Sequence, residues 1–182
     1  YFNQSDFKMG VYGQPAGTTT DLWKYNDFKT GSIVKKEILF QNHFICVYGN
    51  ENEETVREIQ EAFINPKYAL TMGSSDSVAK ISSPIRIITE TTTSYNVAFC
   101  LLDGDIIDDV KDNSGNGMEF SIYTTSDPIA YQLPVKFSYD SDYGFRHVVE
   151  RKLFSFIGKE MILNVSKEGI NYQGKFIPLF EY

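Results

Sequence analysis

Positive charge, cysteine and long apolar runs are all scarce in this chain of 182 residues. The only cysteines are Cys46 and Cys100, each inside an apolar run, which indicates two buried, reduced thiols in a reducing compartment rather than a disulfide framework. The net charge of −7 argues against a broad phosphate-binding surface, because non-specific affinity for nucleic acid comes mostly from lysine and arginine. Any contact with nucleic acid is therefore expected to be local or shared with partners.

No stretch of the sequence approaches the roughly 20 continuous apolar residues of a membrane helix. The opening residues are polar and glycine-rich, without the basic and then apolar pattern of a signal peptide. We therefore expect a cytoplasmic protein without membrane contact. The apolar share of 42%, with 14 Phe and 12 Tyr, excludes the low hydrophobicity of disordered chains and favours strands.

The first half of the chain predicts a mixture of strands and one helix. Glycines, a proline and a threonine run before Gly31 favour a long loop or a protruding hairpin. Apolar and β-branched residues from 32 to 48 then predict one long strand with a polar middle. Asn50 or Asn52 can cap the clearest helix, which Asn65-Pro66 should end.

The second half is expected to be rich in strands. A strand at 68–72 should lead into a loop of small residues at 73–77, which would complete a strand–helix–strand unit. The segment 146–156 fits either a strand or a short helix. Further strands are predicted at 85–88, 95–102, 118–123, 135–139, 161–165 and 170–172, with a hairpin turn at 166–169.

Three stretches of the sequence resemble the Cas-five family of CRISPR-associated proteins. They are the strand that contains Lys35-Lys36-Glu37-Ile38-Leu39-Phe40, the stretch from Asn65-Pro66 to Lys80-Ile81, and the ending from Tyr172 to Tyr182. The middle stretch has the family's proline, tyrosine, short apolar strand, glycine, and small and acidic residues in order. The resemblance implies an α+β fold, with a ferredoxin-like (RAMP) unit that is incomplete at its N-terminus and a β-rich C-terminal part. We accordingly expect a partial RAMP domain with a protruding N-terminal loop over 1–81, and a β-rich region over 82–182.

The resemblance also implies a function. Such a protein is a subunit of a type I CRISPR-Cas surveillance (Cascade) complex in antiviral defense, where it binds the 5′ handle of the CRISPR RNA (crRNA) and caps one end. Its expected partners are the crRNA and the backbone and large subunits of Cascade. No cofactor, metal or catalytic residue is expected. One branch of the family cleaves precursor RNA, so a metal-independent endoribonuclease is an alternative, and a scaffold that binds only protein is a second.

The first candidate RNA contacts lie on a strand and on a glycine loop. Lys35 and Lys36 are adjacent in a strand, so they point to opposite faces and only one can face a given phosphate. The alternative is a solvated strand end. Gly73, Ser74 and Ser75 would let backbone N–H groups approach a phosphate or a splayed base, with Lys80 nearby. The loop lacks the spacing of a nucleotide-binding P-loop, and a simple turn is its alternative interpretation.

Aromatic residues beside cations form the second group of candidates. Trp23, Lys24 and Tyr25 could stack a base and neutralise a phosphate, or could pack the opening segment onto the core. Arg146 belongs to a basic cluster that could face RNA or an acidic partner. His43 and His147 are the only histidines, and both are expected to be structural because neither has a companion residue that specifies a nucleophile or metal site.

Overall fold

The computed structural model describes residues 7–14, 16–27, 30–40, 43–70, 78–82, 84–109, 128–139 and 146–181. Within these ranges the chain is mostly β-sheet with one α-helix, which is a mixed α+β class. The strands are β1 (Lys8–Gln14), β2 (Gly17–Asp27), β3 (Thr30–Phe40), β4 (His43–Gly49), β5 (Thr92–Val97), β6 (Cys100–Asp103), β7 (Ile129–Tyr139), β8 (Arg146–Ile157), β9 (Met161–Tyr172), β10 (Lys175–Pro178) and β11 (Phe180–Glu181). The helix α1 spans Glu53–Ile64, and a short 3-10 helix spans Ile107–Asp109. No helix among the described residues has the length and apolar character needed to cross a membrane.

The strands form three sheets in which every pairing is antiparallel. The largest has six strands in the order β11-β1-β6-β8-β7, with β4 also paired to β1. A second sheet has the order β10-β9-β5, and β2 pairs with β3 in the third. Strands β1 and β4 of region 1–81 therefore share a sheet with four strands of region 82–182. The proposed division at residue 81 stays a prediction.

Two apolar clusters lie on opposite faces of the six-stranded sheet, because the consecutive residues Leu101 and Leu102 of β6 contribute to different clusters. The cluster of Leu102 fills the space between this sheet and the three-stranded sheet, where Leu163 is fully buried. Leu101 packs against the other cluster, in which the rings of Phe154 and Phe180 meet edge to face at 5.0 Å. The main core is therefore assembled from residues after 96.

Helix α1 confirms the sequence-based prediction at both ends. The side-chain oxygen of Asn52 accepts hydrogen bonds from the backbone N–H groups of Glu54 (2.9 Å) and Thr55 (3.3 Å), which satisfies donors that a helix start leaves unpaired. Asn65 follows the last helical residue, and Pro66 cannot continue the helix. No residue of α1 is buried, so the helix lies on the outside of the molecule.

The opening segment, predicted to be a loop or a hairpin by itself, instead supplies one side of a longer antiparallel pairing, in which β1 pairs with β4 and β2 pairs with β3. Gln14 pairs with His43, and three residues further along Gly17 pairs with Phe40, so both ladders follow one register. The long strand predicted from 32 to 48 corresponds to β3 and β4, with Gln41 and Asn42 outside the described residues.

The turn predicted at 166–169 was wrong, because those residues lie inside β9. The chain instead turns at Gln173 and Gly174, whose φ angles of 50° and 74° suit a two-residue hairpin loop. Gly169 serves a different purpose: a Cβ there would lie 2.4 Å from the carbonyl oxygen of Ile177, so only glycine allows β10 to approach this closely.

Several other strand predictions also need correction. Residues 68–70 of the strand predicted at 68–72 have no regular structure, and residues 71–77, which include the predicted loop, lie outside the described residues. Segment 85–88 also has no regular structure, and the strand predicted at 95–102 is divided between β5 and β6 around Phe99, whose φ is 48°. The ambiguous segment 146–156 is the strand β8, and the strand predicted at 135–139 forms the end of the longer β7. The prediction at 118–123 lies outside the described residues.

The two cysteines differ in their surroundings. Cys100 is buried, and desolvation raises the pKa of its thiol to about 12, in agreement with a buried, reduced cysteine. Cys46 is exposed on β4, so the expectation that both thiols are buried was wrong for it. Neither forms a disulfide.

Candidate nucleic-acid interface

The β2–β3 pair, called the first ribbon below, extends the β1–β4 hairpin beyond the six-stranded sheet. Each of its strands has 11 residues, which corresponds to about 35 Å of extended chain. Threonines at 18–20 and β-branched or aromatic residues at 33–40 favour this extended backbone. Because β2 and β3 pair only with each other among the described strands, the first ribbon is an arm rather than part of a larger sheet.

Lys35 lies on the first ribbon directly opposite Leu22 in the antiparallel register. Directly opposed residues share a face, and Ile33 lies two residues before Lys35 on that same face. All three side chains are exposed, Leu22 at 61% and Ile33 at 71%. This face therefore presents an exposed cation between two exposed apolar side chains.

The opposite face of the first ribbon is also open to solvent at this level. Asp21 is exposed and pairs in register with Lys36, the second lysine of the sequence-based site. Trp23, Lys24 and Tyr25 follow along β2, opposite Val34, Ile33 and Ser32 of β3. Five of the ten predicted RNA-binding residues thus belong to this single arm.

Arg146 lies at the other end of the molecule from Lys35. β1 and β8 both pair antiparallel with β6, so they run in the same direction, and Tyr12, Cys100 and Ile157 lie at one level. Strand β1 runs past this level into the first ribbon. Strand β8 runs in the same direction but ends near this level, so its first residue, Arg146, lies on the side away from the first ribbon. The structure therefore does not bring Arg146 together with the first ribbon.

The end of the molecule that contains Arg146 carries a second arm. Residues 146–152 of β8 pair only with β7 among the described strands, and residues 133–139 of β7 are their partners. This second ribbon exposes Lys136, His147 and Arg151, and the Arg151 guanidinium donates to the carbonyl oxygen of Gln132 at 3.4 Å. Its charges are mixed, because Glu150 pairs in register with Lys136.

The remaining members of the sequence-based site are less closely placed. Gly73, Ser74 and Ser75 lie outside the described residues. Lys80 is exposed and follows a short bridge at which the backbone N–H of Ala79 donates to the carbonyl oxygen of Leu70 at 2.8 Å. That these residues form one RNA-binding site with Lys35 stays a prediction.

Several cations elsewhere are occupied by contacts within the chain. The Lys8 ammonium donates to the Glu168 carboxylate at 2.7 Å; this bond raises the pKa of Lys8 and lowers that of Glu168. Lys175 lies 5.0 Å from the ring centre of Tyr12, and Lys67 lies 5.5 Å from that of Tyr68. These contacts compete with phosphate binding, which makes the exposed Lys35 the stronger candidate.

The two histidines are too far apart to act on one phosphodiester. His43 pairs with Gln14 at the top of β1, whereas His147 lies on the second ribbon at the opposite end. Both are exposed. A general acid and base must each reach the same reacting group, so a mechanism that uses both histidines does not fit this geometry.

Sequence reasoning missed Leu22 and Ile33, which flank Lys35. The signal for them was available: antiparallel pairing of residues 17–27 with residues 30–40 places Leu22 opposite Lys35 by register counting. Within the described part of the chain, no group of three His, Cys, Asp or Glu side chains could hold a metal ion. Comparisons with models of known families, with characterised proteins and with solved structures found no match for this chain.

Proposed function

We propose that this chain is a non-catalytic, RNA-binding subunit of a type I CRISPR surveillance (Cascade) complex, similar to the Cas-five family. In this proposal it is a cytoplasmic protein that holds the 5′ handle of the crRNA and helps to cap and assemble the complex for antiviral defense. The observation that carries the proposal is the first ribbon, an arm that exposes Lys35 between Leu22 and Ile33. The resemblance of the sequence to the family supplies the identity of the RNA.

The arm has the properties that single-stranded RNA requires. A lysine can neutralise a backbone phosphate, and neighbouring apolar or aromatic side chains can contact unstacked bases. Lys36, Trp23, Lys24 and Tyr25 add further groups of both kinds to the same arm. A local site of this kind is compatible with a net charge of −7, since it needs few cations and the other subunits can supply the rest.

A two-stranded ribbon with both faces in water is only marginally stable by itself. Binding to RNA or to a neighbouring subunit would cover the exposed Leu22 and Ile33 and would stabilise the arm. The arm is therefore better suited to an assembled ribonucleoprotein than to an isolated chain. In the same proposal, region 1–81 supplies part of a ferredoxin-like RAMP unit, and Gly73, Ser74, Ser75 and Lys80 contribute to the handle site.

The direct test is the double variant Lys35→Ala/Lys36→Ala, assayed for binding to repeat-derived handle RNA over a range of salt concentrations. Loss of one hydrogen bond to a charged group costs about 1.5 kcal/mol, so Kd should rise about tenfold. The slope of log affinity against log salt should fall by about 0.7 for one lost phosphate contact and by about 1.4 for two.

The matched control is Lys67→Ala/Lys159→Ala, which removes the same charge from exposed positions outside the first ribbon. The control should retain nearly the wild-type Kd and slope. Equal losses of RNA affinity in the two double variants would show that binding depends only on the net charge of the chain. Unchanged binding and assembly in Lys35→Ala/Lys36→Ala would refute the site.

A further inference from the structure

A second exposed surface lies around α1, and it has the properties of a protein-binding site rather than an RNA-binding one. None of the described residues from 43 to 96 is buried. The helix is nevertheless amphipathic, with Val56, Ile59 and Phe63 recurring at helical spacing. These three side chains are half-buried, and the ring of Phe63 lies 5.5 Å from that of Tyr48 on β4, so the apolar face of α1 is partly covered by its own chain and partly open.

Segment 84–88 runs beside α1 and is held there by two polar contacts. The side-chain amide of Gln60 donates to the carbonyl oxygen of Pro84 at 2.9 Å, and the Arg86 guanidinium lies 3.1 Å from the Glu53 carboxylate. The segment belongs to no strand. Its position is therefore fixed by α1, and the two elements form one surface, called the α1 surface below.

The α1 surface exposes three isoleucines from five consecutive residues. Ile85 is 58% exposed, Ile87 is 44% exposed and Ile88 is 92% exposed. Single exposed apolar side chains are ordinary, but a cluster on a segment that is held in place marks an interaction site. Stiff β-branched side chains lose little conformational entropy when a partner covers them.

The charge around these isoleucines is negative. Residues 51–70 and 84–91 contain six carboxylates and three cations. Two of the cations are already paired, Arg57 with Glu54 at 3.3 Å and Arg86 with Glu53. Glu53 contacts the segment itself through Arg86, Glu61 lies on α1 about 100° around the helix axis from Gln60, and Glu90 follows the segment; all three are exposed. This acidic border repels RNA phosphates.

We propose that the α1 surface binds a partner protein that presents an apolar patch bordered by lysine and arginine side chains. The isoleucines would fill the centre of the interface, and the carboxylates would meet the basic border. A second copy of this chain does not meet the requirement, since it would place like charges against each other in a protein of net charge −7. The proposal is independent of RNA binding by the first ribbon.

The test uses two synthetic peptides of identical leucine and lysine composition as probes. One arranges leucine and lysine on opposite faces of a helix, and the other has the same residues in scrambled order. The wild-type chain should bind the amphipathic peptide more tightly than the scrambled one. The variant Ile85→Ser/Ile88→Ser should weaken that binding by about tenfold or more, because both apolar anchors are removed.

Two further variants complete the test. Ile162→Ser/Val165→Ser removes exposed apolar side chains from β9 and should leave binding unchanged. Glu61→Lys/Glu90→Lys should weaken binding and reduce its salt dependence. All of these positions are exposed, so a urea titration should give each variant an unfolding midpoint close to that of wild type.

Three results would overturn the proposal. The first is equal affinity for the two peptides, and the second is equal weakening by the β9 variant. The third is self-association of the wild-type chain in sedimentation experiments that is lost in Ile85→Ser/Ile88→Ser, which would identify the occupant as a second copy.

Discussion

Ser155 of β8 connects the core to the segment that follows β6, and replacing it should destabilise the protein markedly. The Ser155 hydroxyl donates to the carbonyl oxygen of Gly104 at 2.8 Å and accepts from the backbone N–H of Ile106 at 3.2 Å. Ser155 and Ile106 are both buried. One hydroxyl therefore satisfies a donor and an acceptor of the same backbone segment.

The variant Ser155→Ala removes both bonds while barely changing the volume of the side chain. The backbone N–H of Ile106 would be left buried without a partner, at a cost of about 1–3 kcal/mol. The carbonyl of Gly104 is only half-buried, so water can replace part of what it loses. We expect the free energy of unfolding to fall by about 2–4 kcal/mol in total.

Urea denaturation followed by circular dichroism measures this loss. With an m value of about 2 kcal/mol/M, the midpoint should fall by about 1–2 M. Ser138→Ala on β7 makes the same chemical change at an exposed position and should alter stability by less than about 0.5 kcal/mol. A loss from Ser155→Ala no larger than that of Ser138→Ala would refute the role of this hydroxyl.

Three smaller predictions concern a salt bridge, a turn and the thiols. Glu168→Gln should lower stability by at most about 1 kcal/mol, because the bond from Lys8 is exposed. The pKa of Glu168 is lowered on folding, so wild type should be more stable than Glu168→Gln by the full amount at pH values above the ordinary pKa of glutamate. This stability difference should disappear as the pH falls through the lowered pKa, which unfolding measured over a range of acid pH would show. Gly174→Ala, at a φ of 74°, should lower the free energy of unfolding by about 1 kcal/mol, as measured by thermal denaturation. A thiol reagent should label Cys46 in the folded protein and Cys100 only after unfolding; rapid labelling of both would contradict the buried position of Cys100.

Local signals in the sequence were sufficient for α1. Its cap, its acidic first turn and its proline stop each act within a few residues, and the helix begins and ends where those signals predict. Strand β8 was harder, because its apolar pattern fitted a short helix as well. Only its pairing with β6 and β7 decides between the two.

The errors arose where contacts distant in sequence decide the structure. Ser166 to Gly169 has the composition of a turn, but Gly169 is needed for the close approach of β10. Ile85 to Ile88 has the composition of a strand, but the segment lies beside α1 without a strand partner. In both cases local preference was overridden by the arrangement of neighbouring elements.

In the candidate site, too, some features follow from local sequence and others depend on contacts distant in sequence. The sequence offers Lys35 as a candidate, which stays a prediction, whereas the placement of Leu22 and Ile33 beside it depends on the register between β2 and β3. The separation of Arg146 from the first ribbon follows from the strand directions of the six-stranded sheet, which no local pattern contains.

The most direct test of the account is to crosslink handle RNA to this chain within the proposed Cascade complex and to identify the crosslinked peptides by mass spectrometry. We predict that the crosslinks fall within the first ribbon, between Gly17 and Phe40. Crosslinks confined to the second ribbon would contradict the proposed site. The complete absence of crosslinks to this chain would contradict RNA binding altogether and would favour a scaffold that contacts only protein.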